Sequence, residues 1–185
     1  MNSVDTVVTP TPEKVTDDAQ TNFVDSFSSN NVQNDFVDTG NEVSPGQLLA
    51  YAKTLIGTPH KYASVDPAEG LDCSGFITHV FNHFSINVPR SSIDFTNYGT
   101  TVNLADAETG DLILFTGTDT LSEVVGHMGI ITEIVDGELQ FIHSTSGKAY
   151  AVTISKLNPH YKKRFVKVIR ISYALTGKLE GLEIF

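Results

Sequence analysis

The sequence predicts an α+β domain in which N-terminal helices pack on a C-terminal antiparallel sheet of about five to six strands. Three observations carry this prediction. Apolar residues recur at helical spacing in the first half of the folded region, at Leu48, Leu49, Ala52, Leu55 and Ile56 and again at Phe76, Ile77, Val80, Phe81 and Phe84. The second half is instead a series of short apolar runs over 111–115, 126–135, 138–143, 148–154 and 164–171. Tight turns join most of these runs, Asp136-Gly137 being a hairpin signal between two of them, and helices followed by strands argue against a βαβ arrangement.

The first 43 residues stand apart. They hold eight acidic residues and one lysine, a balance of −7, whereas residues 44–185 hold 14 acidic and 11 basic, a balance of −3. The chain's net charge of −10 is therefore mostly that of its tail, which has no sustained apolar period and is expected to be disordered. Three segments result: an acidic tail over 1–43, a folded domain over 44–175 and a C-terminal extension over 176–185. Met1 to Val15 has neither the basic region nor the apolar region of a secretory signal. No apolar run approaches the roughly 18 residues of a membrane span. Neither segment offers the basic field that nucleic acid requires, so nucleic-acid binding is not expected. A single cysteine in 185 residues permits no internal disulfide and no Cys-rich zinc site.

Order is expected to begin at Ser44-Pro45, with Ser44 as N-cap and Pro45 in the first helical position, and Gly57 ends that helix. Thr58 to Gly70 reads as a linking segment and loop. The second helix runs from about Ser74 to Phe84. Ser91 or Ser92 caps a further short helix reaching about Tyr98, and the strands follow.

Cys73 lies at or just before the start of the second helix, in Gly70-Leu71-Asp72-Cys73-Ser74-Gly75-Phe76. Unpaired N–H groups and the helix dipole there favour an anion, and a thiol so placed is expected to have its pKa lowered into the range of roughly 3.5–7.5. Taken alone, such a cysteine is equally a small buried hydrophobe. Two histidines shift the reading. His127 opens the run Gly126-His127-Met128-Gly129 and His143 closes Phe141-Ile142-His143-Ser144, so the Asp136-Gly137 hairpin makes them near neighbours across one ladder. A cysteine, a histidine to take its proton as an ion pair and a second histidine to orient the first are the parts of a thiol triad. Other candidates are weaker. His79 and His83 are spaced for a metal but lack the glutamate of a zinc-peptidase helix, and Asp72 and Asp111 read as cap or turn carboxylates. No metal and no cofactor is expected.

These blocks, in this order, resemble the NlpC-type family of cell-wall cysteine peptidases, a bacterial branch of the papain-like fold. The resemblance covers roughly Pro45 to Ile171. It rests on Ala52-Lys53-Thr54-Leu55-Ile56-Gly57-Thr58-Pro59, Asp72-Cys73-Ser74-Gly75-Phe76, Val88-Pro89-Arg90-Ser91-Ser92, Gly110-Asp111-Leu112-Ile113-Leu114-Phe115, Gly126-His127-Met128-Gly129-Ile130, Phe141-Ile142-His143-Ser144 and Tyr161 with Arg164-Phe165-Val166. It implies Cys73 as nucleophile, His127 as base and His143 as orienting residue, with Asp72, Ser74 and Arg90 lining the substrate groove. The implied partner is a peptidoglycan stem peptide, cut at the γ-D-glutamyl–diamino acid bond or a nearby one. Where the family has Tyr-x-[Trp/Tyr]-Gly-Gly, this chain has His60, then Tyr62 at the second aromatic position, then Ala63-Ser64. That departure bears on specificity, and His60 and Tyr62 join the substrate-binding candidates. It also motivates an alternative, a wall-peptide-binding module without turnover. A thiol amidase or transferase acting on another amide is the third reading. The family's substrate implies a place in the cell envelope or outside the cell, while the missing signal leaves the cytoplasm open; the oligomeric state is open too.

Overall fold

The computed structural model describes residues 43–117 and 124–172. The acidic tail, the extension over 176–185 and part of the loop before His127 lie outside the described residues.

Helix α1 (Pro45–Thr54) starts as its sequence dictates. Ser44 Oγ accepts from the Gln47 amide at 3.2 Å and Gln47 Oε1 accepts from the Ser44 amide at 2.9 Å, a reciprocal cap. Leu48, Leu49 and Ala52 are buried, but Ile56 is half exposed because the helix has already stopped. Gly57 turns the chain at φ +90° and donates its N–H to Val152 O at 2.9 Å. Helix α2 (Cys73–His83) begins one residue earlier than its periodicity suggests and buries Phe76, Ile77, Val80 and Phe81 completely. Phe84 is its C-cap and only partly buried. The expected short helix is a 3-10 turn over Ser92–Asn97.

Six strands follow: β1 (Thr100–Val102), β2 (Leu112–Thr116), β3 (Val125–Val135), β4 (Glu138–Ser144), β5 (Val152–Lys156) and β6 (Phe165–Arg170). They form one antiparallel sheet in the order β1-β6-β2-β3-β4-β5. The β3–β4 hairpin turns at Asp136 and Gly137, both at positive φ, as a two-residue turn of this hand requires. The strand expected over 148–154 is displaced to Val152–Lys156, because Tyr150 adopts φ +47° and closes a turn onto Gly147 O. Two elements are additional. Strand β1 is too short and exposed to show alternation, and the single turn α3 (Pro159–Lys162) is set by Asn158, whose side chain accepts from His160 and Tyr161 amides.

The sheet has two covered faces. Leu112, Leu114, Met128, Ile130 and Ile142 pack under α1 and α2. Ile113, Phe115, Ile131, Phe141 and Val168 form the other layer, which Tyr161 partly closes. Among the described residues, no helix is long and apolar enough to cross a membrane.

Candidate active site

The first turn of α2 is held by an ionic cap. Asp72 Oδ1 accepts from the Gly75 amide, and the same carboxylate takes both Arg90 Nη1 and Nη2, the latter at 2.7 Å. Ser74 Oγ donates to Asp72 Oδ1 at 3.2 Å and accepts from Arg90 Nη1 at 3.0 Å. Arg90 reaches this position because Thr78 Oγ1 donates to Pro89 O at 3.2 Å and pins the preceding turn to α2. On the other side, Ser64 O accepts from the Asp72 amide at 3.1 Å, and Gly75 leaves room for that carbonyl. With Gly75 tied to the cap and Phe76 to Asp72 O, the amides of Cys73 and Ser74 remain at the open end of the helix.

Cys73 Sγ lies 3.9 Å from Gly126 O, next in chain to His127. His127 Nε2 and His143 Nδ1 are 2.8 Å apart, and His143 Nε2 and Ser155 Oγ 2.9 Å apart. Gly129 makes this possible: a Cβ there would stand 2.7 Å from Phe141 Cδ2 and 3.1 Å from His143 Cβ. The histidines are thus diagonal neighbours across the β3–β4 ladder, as the hairpin predicts, with His143 buried and His127 half-buried. His127 Nε2 is engaged, so Nδ1 is the nitrogen available to a thiol or substrate. One tautomer set satisfies the whole row: His127 Nε2–H donates to His143 Nδ1 and His143 Nε2–H donates to Ser155 Oγ.

Burial and the Asp72 charge work against the thiolate that the helix end favours. The Cys73 thiol is pushed up to about 11 by burial and then by the Asp72 carboxylate; the amides of Ser74 and Cys73 and the Arg90 charge pull the other way and lose. His127 is held well below its ordinary value by burial, His143 and Arg164. His143 falls to about 4, through burial and Arg164. These shifts describe a neutral thiol and a neutral imidazole lining one groove, where the helix-end rule alone implied a thiolate ion pair.

A groove of about 850 Å³ runs over this site. It is lined by Cys73, His127, Asp72, Ser74, Arg90, His60 and Tyr62, which brings together every predicted site residue except His143, buried behind His127. Tyr62 is 88% exposed, and the His60 ring stands 5.5 Å from that of Tyr150. Ala63 adopts φ +59°, a left-handed conformation natural to the glycine its position resembles. Ala63→Gly is expected to raise unfolding free energy by about 0.5–1 kcal/mol, the relief of that strain less glycine's greater chain entropy, as read by urea denaturation. Asp111 does not face the groove; it pairs with Arg170 in two hydrogen bonds. His79 and His83 serve packing, the former bonded to Tyr51 Oη and the latter stacked on its ring. Sequence reasoning missed Ser155, which nothing in its own strand distinguishes.

Residues 57–170 match the model of the NlpC/P60 family. The chain is 30% identical over 135 residues to the gamma-DL-glutamyl hydrolase of Bacillus subtilis, a match covering 73% of this chain and 31% of that protein. It is 34% identical over 105 residues to the murein DD-endopeptidase MepS/murein LD-carboxypeptidase of Escherichia coli K12, covering 56% and 50%. A crystal structure of an NlpC/P60 family protein from Bacillus cereus superposes with a TM-score of 0.62 at 28% identity, covering 72% of this chain and 41% of that one. The aligned segment is between about a third and a half of these relatives' length.

Proposed function

The chain belongs to the NlpC/P60 family and has the papain-like α+β fold of its domains, and on that premise we propose that it is a cysteine peptidase acting on peptidoglycan stem peptides in the cell envelope or outside the cell. The bond assigned is the amide between γ-D-glutamate and a diamino acid. The observation that carries this reading is the meeting, in one groove, of Cys73 on the first turn of α2 with His127, whose Nε2 is tied to His143. The relatives' names, a γ-glutamyl hydrolase and a murein endopeptidase, supply the substrate class.

The chemistry follows from the protonation states. With the thiol and both imidazoles neutral, His127 Nδ1 takes the Cys73 proton as Sγ attacks the scissile carbonyl, so charge develops only as the bond forms. The amides of Ser74 and Cys73, which act on the thiol at rest, are the donors for the oxyanion that results. Collapse breaks the C–N bond; His127 returns its proton to the departing amine, leaving a thioester on Cys73. Water then attacks the thioester, giving a proton to His127; the C–S bond breaks, the acid product is released, and His127 returns that proton to the Cys73 sulfur. His143 holds His127 in the tautomer whose Nδ1 lone pair is free, and Ser155 does the same for His143.

The test is digestion of purified peptidoglycan and synthetic stem peptides, read by mass spectrometry beside Cys73→Ala. New fragments appear with the wild type and are absent with Cys73→Ala. Identical fragment patterns from the two proteins overturn the proposal, and cleavage confined to amides foreign to the wall moves the activity to another substrate.

A further inference from the structure

Two connected segments, 59–64 and 145–151, line the Cys73 groove with His60, Tyr62, Ala63, Ser146 and Tyr150, and they bring no carboxylate, lysine or arginine to it. We propose that Tyr62 and Tyr150 form a platform for an uncharged sugar ring, so that the site recognises the glycan end of its substrate as well as the peptide. The inference rests on the hydrolase reading in one respect. The half that acylates Cys73 is the N-terminal one, and it is by that end that a stem peptide hangs from its glycan strand.

Exposure and backbone conformation single these two rings out. Tyr62 is 88% exposed and Tyr150 59%, the two highest values among the large apolar side chains of the described residues, and both line one groove. Each is held there by a residue in the left-handed region: Tyr150 itself at φ +47°, and Ala63, immediately after Tyr62, at φ +59°. Such conformations are costly for residues with a side chain and persist where the surrounding structure over-determines them. Here it does. The Tyr150 amide donates to Gly147 O at 2.9 Å, and Tyr150 O accepts from the His60 amide at 2.9 Å. The Ser64 amide donates to Lys61 O at 3.3 Å and closes the turn that presents Tyr62, while Ser64 O takes the Asp72 amide beside Cys73. The rings are therefore fixed relative to the nucleophile yet left open to solvent. The peptide does not account for them. A stem peptide offers small or charged side chains, and the charged groups suit the Asp72–Arg90 pair at the start of α2. A sugar amide-linked to the stem carries no charge. It offers a face of C–H groups to a tyrosine ring and hydroxyls to His60, Ser146 and the tyrosine Oη atoms.

The experiment compares kcat/KM for stem peptides whose N-terminus bears either the N-acetylglucosaminyl–N-acetylmuramoyl disaccharide or only the lactoyl group, so that both are uncharged at that end. A parallel NMR titration reads the binding of the peptide-free disaccharide to the Cys73→Ala protein. The disaccharide substrate is expected to be preferred on the order of tenfold, the scale of two ring contacts. The preference is expected to disappear when Tyr62→Ser and Tyr150→Asn are combined, asparagine being chosen because it tolerates the left-handed turn. Tyr62→Phe and Tyr150→Phe keep the preference, because the ring face remains. Rising salt leaves it unchanged, as an uncharged ligand requires. Equal turnover of the two substrates, a preference for the lactoyl peptide, or a ratio unchanged in the Ser/Asn double variant overturns the platform and leaves the hydrolase intact. Absence of turnover, with disaccharide binding retained and lost once both tyrosines are replaced, overturns the hydrolase and leaves the platform. Absence of both turnover and binding overturns both.

Discussion

His127→Ala is expected to lower kcat/KM on a stem-peptide substrate by on the order of a thousandfold or more, the usual scale for removing a positioned general base. The effect is large because the carboxylate that shares the groove is not free to take the thiol's proton. Asp72 is already engaged by Gly75, Ser74 and Arg90, and its charge raises the thiol's pKa. The pH dependence distinguishes this site from one that rests as an ion pair. The thiol is shifted up to about 11, so alkylation of Cys73 by iodoacetamide in the free protein is expected to keep rising with pH through 9 and beyond. His127 must be neutral to accept a proton, and its pKa lies well below 6.5, so hydrolysis is expected to persist below pH 6.5 and to fall only as the imidazoles protonate. His143, at about 4, marks the region where its pairing with His127 is lost. An alkylation rate already on a plateau at mildly acidic pH would falsify the neutral-pair description and restore the thiolate.

The second large effect is steric. Gly75→Ala places a Cβ 2.0 Å from Ser64 O and 3.0 Å from Asp72 Oδ1. Neither neighbour can retreat without loss. Ser64 O accepts from the Asp72 amide, and Asp72 Oδ1 is the cap of α2. The first turn of the helix must therefore lift from the segment at Ser64, and Cys73 moves with it. The expected cost is about 3 kcal/mol or more in thermal or urea unfolding, together with loss of hydrolysis. Gly46→Ala is the matched control: the added Cβ meets only Ser44 Oγ, at 3.8 Å, inside α1, and helix propensity predicts a gain of up to about 1 kcal/mol. Equal stability of Gly75→Ala and the parent would show that α2 is not seated on Ser64 as described.

Local rules read much of this protein directly. Ser44 and Pro45 start α1 and Asp136-Gly137 turns the hairpin, because capping and turn geometry involve residues only a few positions apart. The apolar spacing of 76–81 placed α2 against a core. The order of Cys73, His127 and His143, with the surrounding blocks, was enough for the family resemblance, and the hairpin register was enough to bring the two histidines together. Elements without a local signal were lost. Strand β1 has three residues and little burial, and the start of β5 depended on the left-handed turn at Tyr150.

What the sequence by itself determined is which groups meet: a lone cysteine on a helix start, two histidines on one hairpin, and the glycines that allow close approach. The tertiary structure alone decided their state. The same helix end that favours a thiolate also half-buries Cys73 beside Asp72, and desolvation with a like charge outweighs two amides. Ser155 enters the row only because β5 pairs with β4, and Tyr62 and Tyr150 share a groove only because the segments that carry them meet at His60 and Tyr150. Spacing and turn chemistry act between neighbours in the chain, whereas burial and Coulomb fields depend on which distant elements the fold brings into contact.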